Sequence, residues 1–204
     1  MNNRFSRLSA LILFPLALFG CAVSAQSAGE AIGSEQELLS ASMCPDGVPA
    51  NLTPAADQRL FFVLRGDGVQ IYECKAVGNA FAWTFIAPEA NLLNPGEEVV
   101  GIHYAGPTWE SEDGSRVKGA KLASAPAPIP GAIPWLLLGA VSHNGDGKMS
   151  GVTSIQRLST TGGVAPPVGC DAAHEGDVAN VPYTANYFFY RTNQGGGDNP
   201  QCGG

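Results

Sequence analysis

VQIYECKAVGNAFAWTFI, residues 69–86, decides the fold. Two strand-like runs, VQIYECK (69–75) and FAWTFI (81–86), flank AVGN. In the second run Phe81, Trp83 and Phe85 recur every other residue, which places them on one face of an extended chain. Gly78 and Asn79 are residues that accept the positive φ of a tight hairpin turn. The stretch therefore reads as a β-hairpin.

Other strand-like runs lie on both sides of this hairpin. RLFFVL (59–64) is expected to end at a turn, RGDG. Residues 98–104 alternate, with Val100, Ile102 and Tyr104 on one side and Val99, Gly101 and His103 on the other. Gly106-Pro107 should interrupt that ladder, because proline has no N–H to donate. Trp109 and Glu110 resume extended structure, the D-G pair of SEDGS reverses the chain, and residues 116–122 return. ASAPAPIPGAIP is too rich in proline for a helix. WLLLGAVS (135–142) is apolar on both faces, the mark of a covered strand. HNGDGK turns into a weakly alternating run at 149–158, and a Gly/Pro loop spans 160–180. The last strand, 181–191, sets Tyr183, Ala185, Tyr187 and Phe189 on one face. Beyond the leader, no stretch sustains a 3.6-residue period. About eight strands in one domain predict an all-β, antiparallel β-sandwich, with a partly closed barrel as the alternative.

The first 25 residues read as an export signal: Arg4 and Arg7, then an apolar run of about a dozen residues, too short for a roughly 30 Å bilayer core. Val23-Ser24-Ala25 before Gln26 fits signal-peptidase cleavage. Leu18-Phe19-Gly20-Cys21 is a competing lipobox reading that would anchor the chain by lipid at Cys21. The expected division is signal 1–25, mobile leader 26–48, and one β domain 49–204 with a Gly-rich tail. No later run is long enough for a transmembrane helix. An exported chain in the periplasm or outside the cell meets oxidising conditions, so Cys44, Cys74, Cys170 and Cys202 should form two disulfides. Their positions favour a nested pairing, Cys74–Cys170 and Cys44–Cys202. The net charge of −7, with scattered Lys and Arg, gives no electrostatic footprint for nucleic acid.

Chemistry-bearing patterns are sparse. SHNGDGKMSGVT (142–153) imitates a calcium loop, but Ser142 and Thr153 stand at its first and twelfth positions, where calcium needs carboxylates. It is better read as a turn. His103, His143 and His174 lack the local spacing of a metal site, so no metal and no cofactor are expected. There is no G-x-S-x-G elbow and no G-x-G-x-x-G fingerprint. The densest stretch is GIHYAGPTWESEDGS (101–115). It yields the candidate ligand-binding residues His103, Trp109, Glu110 and Asp113. The hypothesis is one concave site lined by His103, Trp109 and Glu110, with the break at Pro107 turning Trp109 toward it. The ordinary alternative is a structural histidine in a strand.

The blocks GVQIYECK, WTFIAPEANL, VVGIHYAGPTWESEDGSRVKG, IPWLLL, VTSIQRLSTTGGVAPPVGCDA and VPYTANYFFY resemble, in this order, a family of exported bacterial and fungal proteins, domain of unknown function 3455. The resemblance covers about residues 49–191. It implies a secreted single-domain protein and supplies no activity, cofactor or catalytic residue. The expected function is therefore an exported, non-catalytic ligand-binding or structural β domain, its partner an unknown small molecule or glycan. The alternative is a small secreted enzyme, metal-assisted, with a site near His103, Glu110 and Asp113.

Overall fold

The computed structural model describes residues 44–192 and 202. After a 3₁₀ turn at Ala50–Leu52 come eight strands: β1 (Gln58–Val77), β2 (Ala80–Leu93), β3 (Val99–Tyr104), β4 (Thr108–Ser111), β5 (Arg116–Ala125), β6 (Trp135–Asn144), β7 (Ser154–Gly162) and β8 (Val178–Thr192). Each pairs antiparallel with the next, and β8 pairs with β1, so a single sheet closes into a ring. The all-β antiparallel expectation holds, and the ring is its barrel alternative rather than two stacked sheets. Eight strands leave an interior wide enough for side chains or one small ligand.

The hairpin forms at Gly78-Asn79, with Gly78 at φ +62° and Val77 paired to Ala80. The RGDG turn expected before it does not form. β1 runs straight through as one 20-residue strand, with Gly66 facing Leu92 on one side and Ala185 on the other. Gly66 is there for proximity, since a Cβ on it would lie 2.5 Å from the Tyr187 ring. β2 likewise continues past Ile86 to Leu93, carrying Pro88 beside a register shift at Ile71/Tyr72. The expected strand at 149–158 also starts late, at Ser154, because Met149 and Val152 belong to a connection and are fully buried.

Two apolar clusters follow from the alternation. Inside the ring lie Leu64, Leu92, Trp109, Val117, Leu138, Met149, Ile155, Tyr187 and Phe189, among others. Outside, Trp135 and Leu137 of β6, Leu158, Phe188 and Tyr190 are covered by Leu52 and by Cys202. This is why WLLLGAVS is apolar on both faces. Gln156, fully buried, ties that cover down by donating from Nε2 to the carbonyls of Leu52 and Cys202, both at 2.7 Å. Both expected disulfides are present, Cys44–Cys202 and Cys74–Cys170. The inner one closes a loop of about a hundred residues, worth up to roughly 4–5 kcal/mol in the chain-entropy model.

In an up-and-down ring the connections alternate between two ends. Residues 94–98, 112–115 and 145–153 lie at one end. Residues 78–79, 105–107, 126–134 and 163–177 lie at the other. The first end is filled by Met149 and Val152. The second holds a cavity.

Candidate functional site

The cavity is built from positions on all eight strands. Its volume is about 350 Å³, and its wall includes Gln70, Phe85, His103, Trp109, Arg157 and Tyr187. Phe85 and Ile86, 50% and 44% exposed, stand at the mouth together with exposed Lys121, while His103, Trp109 and Tyr187 are at most 2% exposed and form the floor. Leu136, Leu138 and Pro107 complete the apolar wall. Ile133 and Gly163 cover one side of this end: Ile133 N–H donates to the Gly162 carbonyl at 2.8 Å, and Tyr72 Oη donates to the Gly163 carbonyl at 2.7 Å. A wider, more open depression of about 630 Å³ runs past Asp67, Glu89, Asn91 and Ile102. Those four side chains are exposed on the outer surface, so a ligand there would stay in contact with water.

His103 and Trp109 sit directly opposite each other on β3 and β4, and both point inward. Their rings stack at 4.4 Å with 13° between planes, and Tyr187 meets both edge-on, at 5.1 and 5.5 Å. His103 Nδ1 lies 2.8 Å from the Thr108 carbonyl. A carbonyl only accepts, so Nδ1 carries the proton and Nε2 is left as the acceptor. Burial pushes the His103 pKa down to about 3, outweighing the support of the Thr108 carbonyl, while the nearby Arg157 charge lowers it further. The imidazole is therefore neutral at neutral pH.

Glu110 is not in this constellation. It pairs with Ile102, which is exposed, and so lies on the opposite face of the sheet from His103. There it accepts a hydrogen bond from Tyr104 Oη at 2.8 Å and faces Arg116 Nε at 3.7 Å. Strand alternation dictates this: neighbours Trp109 and Glu110 must point to opposite faces. Asp113 is further away still, at the filled end. Its carboxylate accepts from Ser115 N, Ser115 Oγ and Lys148 N at 2.9, 2.5 and 2.8 Å. These bonds hold its pKa down at about 2, with the Ser115 hydroxyl contributing most. The structure thus brings together two of the four candidates, His103 and Trp109.

The sequence reading missed Arg157, Gln70, Lys121 and Tyr187 as wall residues. Arg157 carried a usable signal: it shares the inward face of β7 with Ile155, a cation on the core side of a strand. Its Nε and Nη2 donate to the Pro134 carbonyl at 3.2 and 2.8 Å. Burial lowers its pKa, opposed chiefly by Tyr187 and Tyr183, yet a guanidinium remains charged in a protein. Burial in turn raises the Tyr183 and Tyr187 pKa values, so both phenols stay protonated, with their hydroxyls 3.0 Å apart. Gln70 Nε2 and Trp109 Nε1 are buried with no hydrogen-bond partner among the described residues. Among the described residues no three His, Cys, Asp or Glu side chains converge as a metal site would require.

The model of the family described as "Protein of unknown function (DUF3455)" matches residues 54–191, and the chain belongs to that family. The match spans every strand that builds the cavity. No curated protein and no solved structure matches the chain.

Proposed function

We propose that this member of the DUF3455 family is an exported, non-catalytic β-barrel that holds a small, largely apolar molecule in its interior. The observation that carries the reading is the cavity of about 350 Å³, floored by the His103–Trp109 stack and walled by Phe85, Leu136, Leu138 and Tyr187. That volume falls within the roughly 300–1,000 Å³ of small-molecule sites, and an apolar wall with a few polar groups is their usual composition. Export is supported by the two disulfides and by the leader-like first 25 residues, which argue for the periplasm or the extracellular space. Among the described residues no helix is long and apolar enough to cross a membrane. Against catalysis stands the basicity of His103. A general base works best with a pKa near the operating pH, and one at about 3 accepts a proton poorly.

The test is a titration of purified mature protein with the neutral fluorophore N-phenyl-1-naphthylamine. Saturable one-site binding is expected, with quenching of tryptophan emission through Trp109. Leu138→Trp and, separately, Leu136→Phe fill the cavity and should abolish binding while the far-UV spectrum and cooperative melt persist. A wild-type protein that shows no saturable binding would overturn the reading.

A further inference from the structure

We infer that the preferred occupant is an organic acid: an apolar or aromatic body in the cavity, with a carboxylate held by Arg157 and by Lys121 at the mouth. This rests on the interior-binding reading above and adds the charge of the ligand. The chain carries 18 Asp and Glu against 11 Lys and Arg. Yet the cavity wall has two cations, Arg157 and Lys121, and no carboxylate. Random placement on so acidic a chain would favour the reverse.

Nor are these cations committed elsewhere. Among the described residues the ion pairs join Arg65 to Asp67 and Glu97, Lys75 to Glu73, Arg116 to Glu110 and His174 to Asp171. Arg157 and Lys121 take part in none of them. Arg157 donates from Nε and Nη2 to the Pro134 carbonyl and stands beside the Tyr187 hydroxyl, and neither partner carries a negative charge. A guanidinium has five N–H donors in a planar fork, and the fork matches a carboxylate. Withdrawing such a charge from water with no counter-charge is costly, and a ligand that brings the negative charge removes the cost.

The neighbours suit an anion as well. Tyr183 and Tyr187 are protonated phenols whose hydroxyls hydrogen-bond to each other, so one O–H of the pair is left to donate. Neutral His103 presents a flat ring rather than a second titrating charge, and with Trp109 it offers stacked aromatic surface to the body of the ligand. A neutral apolar ligand would use that surface but leave Arg157 unmatched.

The experiment compares 1-naphthaleneacetic acid with 1-naphthaleneacetamide at pH 7.5, which have the same ring and differ in charge, by calorimetry on the mature protein. The acid should bind at least tenfold more tightly. Arg157→Gln should bring the two to within about twofold, with the far-UV spectrum and cooperative melt verifying that the variant is folded. Lys121→Gln should reduce the preference less, because its exposed charge is screened. Equal affinities in the wild type would overturn the charge assignment and leave interior binding standing. So would an acid preference that survives Arg157→Gln. If neither naphthalene compound binds but N-phenyl-1-naphthylamine does, the acid inference alone fails. If none of the three binds, both readings fail together.

Discussion

The two ends of the barrel start from the same plan, inward-pointing side chains at strand ends joined by short connections, and arrive at opposite results. At the filled end, residues 145–153 fold under the ring and insert Met149 and Val152, both fully buried in the inner cluster. That segment is pinned by Asp113 and Ser115: Lys148 N–H donates to Asp113 Oδ2, and Met149 N–H donates to Ser115 Oγ at 2.9 Å. At the hollow end the 105–107 connection is short and offers no apolar plug, and the interior is left to Arg157, His103 and the aromatic floor. One end is filled by its own chain and the other is left hollow. Stability and binding should therefore separate along the barrel axis.

The sharpest way to break this contrast is to empty the filled end. Met149→Ala should cost about 2–5 kcal/mol, the range for truncating a fully buried Met or Leu, read as a shift in the urea midpoint. Affinity for N-phenyl-1-naphthylamine should stay within about twofold of wild type at temperatures where the variant is folded. A large loss of affinity with folding intact would show that the two ends are coupled and would undo the comparison.

The hollow end should reveal itself through pH. His103 titrates near 3 in the folded protein, below its ordinary 6.5, because burial penalises the charged ring. A depressed folded pKa means that the contribution is present above the unfolded value and lost as pH falls. Below about 6.5 the unfolded chain takes up a proton that the folded chain refuses, so unfolding is favoured by up to about 1.4 kcal/mol per pH unit until the folded value is reached. Wild-type stability should thus decline from pH 6 to pH 4, and His103→Gln should flatten that decline in urea melts at fixed pH. Parallel curves for the two proteins would mean that His103 can be protonated where it sits.

How much of this was legible follows from what strand alternation can and cannot carry. Period-two patterning placed the hairpin at Gly78-Asn79, the face shared by Tyr183, Ala185, Tyr187 and Phe189, and the doubly covered β6. It also put His103 opposite Ile102 and Tyr104, which the structure resolves as inward against outward. The same rule, applied strictly, separates Glu110 from Trp109, and proximity in sequence was the wrong guide there. What stayed hidden depends on contacts between distant segments. RGDG looks like a turn until Tyr187, more than a hundred residues away, is seen to require Gly66. Met149 looks like a strand residue until ring closure creates an end that needs filling. Arg157 gains meaning only when the other wall residues prove to hold no carboxylate.

The clamp at the filled end gives smaller effects with a defined sign. Gly147 has φ +156°, and a Cβ on it would stand 2.4 Å from Asp113 Oδ2. Gly147→Ala should therefore displace the Asp113 carboxylate and destabilise by more than about 1 kcal/mol. Asp113 itself titrates at about 2, below its ordinary 3.8, held down first by the Ser115 hydroxyl. Its contribution is present above pH 3.8 and lost as pH falls toward 2. The melting temperatures of wild type and Asp113→Asn should differ at pH 6 and converge at pH 2. A difference that does not depend on pH would assign the effect to packing instead of charge.

The smallest expected effect belongs to Asp146, one residue from Gly147 in the stretch that imitates a calcium loop. Asp146 is exposed and makes no hydrogen bond or ion pair among the described residues, whereas the bonds that shape this segment run to Asp113 and Ser115. The ends of the imitation point the same way. Ser142 lies in β6 paired with Lys118, and Thr153 donates from its backbone N to the Tyr190 carbonyl at 2.8 Å, so neither supplies a carboxylate to a common centre. Without those oxygens the loop lacks the charge that calcium requires. Asp146→Ala should change stability by no more than about 0.5 kcal/mol, the range for surface positions outside any network. Millimolar calcium should leave the melting temperature of wild type and variant unmoved. Stabilisation of the wild type by calcium that disappears in Asp146→Ala would turn the filled end into a second binding site, and the division of labour between the two ends would have to be abandoned.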